Sequence, residues 1–117
     1  MRKYHPITHL ALPDTVANYQ EALIMTKLND SVERIHYPFQ KIENDIVIVD
    51  PKDRLMHQLN DVGSRVWELL INKQTVSAII NTVTDEYEVD QSNAEDDIIK
   101  LLDQMSELKL IKVTHNE

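Results

Sequence analysis

The chain of 117 residues has no cysteine, one glycine, one tryptophan and one phenylalanine. The missing cysteine excludes disulfides, thiolate catalysis and cysteine-ligated metals together. A single glycine, Gly63, leaves no glycine-rich loop to cradle a phosphate. Positive charge is also short. Twelve Lys and Arg stand against twenty Asp and Glu, a net charge of −8 that opposes sequence-independent attraction to nucleic acid and to anionic membranes. No apolar run approaches the roughly 18 residues needed to cross a bilayer. Residues 1–12 hold His5, Pro6 and His9 where a signal peptide needs an apolar core. A cytoplasmic protein is therefore expected, with no cofactor, no metal, no nucleic acid and no membrane partner.

What is present points to one helix-rich domain built mostly from Leu, Ile and Val: 42% of the residues are apolar but only 5% aromatic. The costly residues gather in residues 59–70, which hold both the only Gly and the only Trp. Asn60 is a good N-cap, and Val62, Val66, Leu69 and Leu70 follow at helical spacing. Gly63 in the first turn should cost about 1 kcal/mol relative to Ala, so a closely passing backbone is expected there. Trp67 lies off the main stripe and should pack on a second neighbour.

Ahead of this helix, Asp14 can cap a helix over residues 15–29 with the stripe Val16, Tyr19, Leu23, Ile24 and Leu28. The polar residues 29–34 read as a turn, and Pro38 ends what Ile35 begins, which places a boundary near residue 36. The chain divides on this reading into an extension, 1–36, and a domain, 37–117. Residues 39–42 read as a strand and Glu43-Asn44 as a tight turn. The β-branched run Ile46-Val47-Ile48-Val49 reads as a strand covered on both faces. After a turn at Pro51, residues 54–59 alternate, with Leu55, His57 and Leu59 on one face and Arg54, Met56 and Gln58 on the other.

Past the Trp67 helix, Asn72 suits the left-handed conformation common after a helix end. Thr75 caps a second helix carrying Val76, Ile79, Ile80, Val83 and Tyr87. Ser92 and Glu95 form a capping-box pair for a third, with Ala94, Ile98, Leu101, Leu102, Met105 and Leu108 inward, and residues 110–113 read as a last strand. Ile99, Leu102 and Ser106 outline a second, partly apolar flank on the third helix; a stray exposed Ile would look the same. Catalytic readings find little. Pro6 opposes the helix that His5 and His9 would need to ligate a metal, the Asp96-Asp97 pair reads as solvated surface, and His57 reads as a core or groove histidine.

Three strands followed by three helices is an α+β outline of winged helix-turn-helix type with an N-terminal helical extension. The residues that fill it are Val49-Asp50 before a turn, Leu59-Asn60, Gly63, the run Val66-Trp67-Glu68-Leu69-Leu70, Thr75-Val76 with Ile79, Glu86-Tyr87 with Val89-Asp90, and Leu108 to Ile111. In that order they resemble the PqqD-like family, the small domains also called RiPP recognition elements, over about residues 39–113. The resemblance implies a non-catalytic peptide chaperone. It would grip the leader of a ribosomally made precursor and present it to a modifying enzyme of the same pathway, often a radical SAM enzyme. Strand addition along Arg54, Leu55, Met56, His57, Gln58 and Leu59 would supply backbone bonds, with Ile99, Leu102 and Ser106 lining the groove, while Asn60, Gly63 and Trp67 serve the fold. Two other classes stay open: a winged-helix DNA-binding regulator, which the acidic third helix disfavours, and a structural subunit forming a homodimer through its edge strand and N-terminal helix.

Overall fold

Alternation of apolar and polar residues sets the strands, and a period of 3.6 sets the helices, of a computed structural model that describes residues 1–5, 26–52 and 54–116. In chain order the elements are β1 (Arg2–Lys3), β2 (Ser31–Arg34), β3 (Phe39–Ile42), β4 (Asp45–Asp50), β5 (Leu55–Leu59), α1 (Asp61–Leu69), β6 (Gln74–Thr75), α2 (Val76–Glu86), β7 (Tyr87–Glu88), α3 (Gln91–Glu107) and β8 (Ile111–Thr114). The expected α+β order, a three-strand antiparallel meander β3-β4-β5 feeding three helices, is present.

In the meander β4 is central, pairing Phe39 with Ile48 on one side and Ile48 with His57 on the other. Its even-numbered residues Ile46 and Ile48 are buried against the helices, and Val47 and Val49 point the other way. Val49 is 37% exposed, so the run is covered on one face and not on both. Among the described residues no element lies over the second face. Glu43 and Arg54 take the left-handed backbone at φ 58° and 56° in the two hairpin turns. Arg54 therefore precedes the strand instead of beginning it, since this conformation breaks the ladder.

Asn60 caps α1, its Oδ1 accepting from Gly63 N–H at 3.0 Å. A Cβ on Gly63 would stand 3.3 Å from that oxygen and 3.4 Å from Leu59 Cβ. The glycine thus makes room for its own cap and for the side chain before it, not for the passing backbone expected. Trp67 is fully buried and meets Phe39 edge-on, ring centroids 6.1 Å apart, with the Arg34 guanidinium 5.3 Å above its ring. Thr75 caps α2 through Ala78 N–H at 3.1 Å. The start of α3 differs from expectation: Asp90 is the cap, accepting from Asn93, and Ser92 already lies inside the helix. Nor does Asn72 adopt the left-handed form, because α1 closes with tightened bonds from Leu70 and Ile71 N–H. That form belongs to Lys109, at φ 61°. There Leu110 N–H reaches Met105 C=O and Lys109 N–H reaches Ser106 C=O, closing α3 in a Schellman motif.

The polar stretch expected to turn holds β2, the middle strand of the sheet β6-β2-β8. Val32 is fully buried there and pairs with Val113 and Gln74. A strand of one apolar and three polar residues is specified by distant partners, which a local reading does not contain. It lies before the boundary expected at residue 36, yet its Val32 belongs to the same core as the meander and the three helices. Most of the expected helix 15–29, including Asp14, Val16, Tyr19, Leu23 and Ile24, lies outside the described residues. Within 26–29 the chain turns at Leu28-Asn29, and Thr26 binds Asp103 Oδ1 through both its N–H, at 2.9 Å, and its hydroxyl, at 2.5 Å. At the other end of the chain's first segment β1 runs parallel to β7. Arg2 is ion-paired with Asp61, and Tyr4 donates to Asp97 at 2.6 Å.

Candidate functional site

The sheet order leaves β5 with a neighbour on one side only among the described residues. Two bonds fix which of its backbone groups face the open side. Val49 N–H donates to Pro38 C=O at 2.8 Å, so Val49 faces β3 and, by alternation, Ile46 and Ile48 face β5. Consistently, Ile46 N–H points toward Leu59, where the Ser64 hydroxyl accepts from it at 2.8 Å and donates onward to Leu59 C=O at 2.9 Å. Leu55, His57 and Leu59 are therefore turned toward β4, and the N–H and C=O groups of Met56 and Gln58 are turned to the open edge.

Side chains sort by the same parity. His57 and Leu59 are buried beneath the sheet and Leu55 is half-buried, whereas Met56 is 69% exposed and Gln58 is exposed, donating to Asp45 at 3.1 Å. Met56 stands directly opposite Val49. The outer face thus carries Ile42, Val47, Val49 and Met56, a patch that sequence reasoning missed because it assumed a second covering layer. Its signal was the odd-numbered Val47 and Val49 of β4. Burial lowers the His57 pKa, an effect the nearby Asp50 carboxylate partly offsets, so the ring is held neutral, and its Nδ1 has no partner among the described residues.

The helix residues named for the groove divide. Leu102 is fully buried in the core cluster that also holds Leu59, so it is not a lining surface. Ile99 is half-buried and packs against that cluster, and Ser106 is half-buried. β5 packs chiefly on β4 and α1, and α3 chiefly on α2 and β8. Asn60, Gly63 and Trp67 hold the strand-to-helix junction through the cap and the ring contacts already given.

Other polar constellations are structural. Arg65 binds Glu86 with two bonds, at 2.8 and 2.9 Å, which depresses the Glu86 carboxyl. A cleft of 570 Å³ at the start of α3 is lined by Tyr4, Glu88, Val89, Asp90, Asn93 and Asp97, none of them in β5. No group of three or more His, Asp or Glu among the described residues could hold a metal, and none of their helices is long and apolar enough to cross a membrane.

Among the described residues, a small meander whose last strand is open on one side runs into three helices. Residues 45–111, more than half of the chain, match the family described as coenzyme PQQ synthesis protein D (PqqD), and the chain belongs to that family. The fold is similar to a solved structure of TbiB1 in complex with the TbiA(beta) leader peptide, with a TM-score of 0.63 and 23% identity, covering 68% of this chain and 94% of that one. No curated protein matches the sequence.

Proposed function

We propose that this protein is a non-catalytic peptide-binding module. It takes the leader of a ribosomally synthesised precursor as an added strand along β5 and presents it to a modifying enzyme, such as a radical SAM enzyme. The observation that carries the reading is the open β5 edge, with Met56 and Gln58 turned outward at a strand that no described element covers. Membership of the PqqD family supports it, as does the leader peptide held by the similarly folded TbiB1. Ile99 and Ser106 on α3 would meet side chains on the peptide's inner face.

Proline separates the two sides of the strand. Gln58→Pro removes an N–H that faces the open edge and leaves the β4 ladder intact, so the domain should stay folded. Titration of the cognate leader should then show at least tenfold weaker binding, about 1.4 kcal/mol. His57→Pro removes an N–H that pairs with β4 and should unfold the meander. Equal leader affinity for the native chain and Gln58→Pro would sink strand addition at this edge.

A further inference from the structure

We infer that the peptide docked on β5 carries an apolar side chain opposite Met56 and a carboxylate two residues further on, facing Arg54. The inference rests on strand addition at β5 and deepens it by naming the peptide's chemistry. An added antiparallel strand makes hydrogen-bonded pairs with Gln58 and Met56, since only these turn their backbone outward. Residues in such pairs share a face, so the peptide's residue opposite Met56 lies on the outer side of the sheet. There Met56, 69% exposed, and Val49, 37% exposed, already face each other as a cross-strand pair. A third apolar side chain in that row would pack on Met56, because directly opposed side chains lie within about 5.5 Å of one another, and would extend the row that Val49 begins. The patch is continuous with the edge itself, so the occupant of the one is the occupant of the other.

Charge fixes the second position. Because the peptide runs antiparallel, the residue two places after the one opposite Met56 runs past the end of the ladder, beside the turn that holds residue 54. Arg54 is exposed there and forms no ion pair among the described residues, in a chain whose net charge is −8. By contrast, the cation of the other meander edge, Lys41, is bound to Glu68 at 2.9 Å. Edge strands are commonly guarded by charge or proline. β3 follows Pro38 and contains Lys41; β5 contains neither a charged residue nor a proline between Leu55 and Leu59. One edge is guarded and the other is left open for a strand of this composition.

The test is a displayed library of random dodecapeptides panned on the full chain, with selected peptides mapped by amide shifts. Peptides that shift Met56 and Gln58 should be enriched at least tenfold for an apolar residue two places before Asp or Glu. On Arg54→Glu the acidic preference should reverse to Lys or Arg, and on Met56→Thr the apolar preference should fall toward background. Both substitutions are at exposed positions, and a circular dichroism melt matching the native chain confirms that each variant is folded. Peptides that dock on β5 with no such pair, or with a charge preference unchanged in Arg54→Glu, overturn the inference and leave strand addition standing. If every selected peptide maps away from β5, strand addition there fails and this inference with it.

Discussion

Trp67 is held by three contacts at once: the Phe39 ring edge-on at 6.1 Å, the Arg34 guanidinium above its face, and the Arg34 side chain donating to its own carbonyl at 3.1 Å. Fully buried in a small core, it should cost about 3 to 5 kcal/mol when cut to Ala, read as a loss in urea midpoint. A near-native midpoint would mean that the core closes over the cavity. His57 makes a prediction of opposite kind. Its folded pKa lies below the ordinary 6.5, so the fold favours the neutral ring. That contribution is complete above pH 6.5 and is withdrawn as the pH falls through 6.5 toward the folded value. His57→Leu should therefore flatten the decline in urea midpoint between about pH 7 and pH 5.5. An unchanged slope would assign the decline to other groups.

At the scale of elements, the strands that alternate and the helices with strong caps were legible: Asn60 and Thr75 cap where their side chains suggested. The candidate edge was legible as an alternating strand, Leu55 to Leu59. Its helix side was read too generously, because a position at the edge of a stripe, such as Leu102, becomes core when neighbours close on both flanks. β2 was illegible for a different reason. Ser-Val-Glu-Arg has no pattern of its own, and its partners Thr75 and Thr114 lie far along the chain from Ser31. Removing residues 1–36 deletes the middle strand of β6-β2-β8 and with it Val32, whose burial alone is worth about 2 kcal/mol. A chain starting at Thr26 should give dispersed amide spectra, and one starting at Tyr37 should be unfolded or insoluble. A folded, stable chain from Tyr37 would support the boundary at residue 36.

Across the whole molecule the two ends of the open strand are closed by different devices. Arg54 breaks the ladder with its left-handed backbone, and at the far end Ser64, in the first turn of α1, bridges Ile46 N–H and Leu59 C=O. Between them, among the described residues, only Met56 and Gln58 turn an N–H and a C=O each to the open edge, about four hydrogen bonds for a strand added there. At about 1 kcal/mol apiece these sum to about 4 kcal/mol, a dissociation constant on the order of millimolar. A longer edge would hold any extended chain tightly enough to be filled by the wrong one. On the proposed strand addition, an edge cut to two residues would be too weak to retain a peptide by its backbone, and residence time would be set by side chains that differ from one peptide to the next.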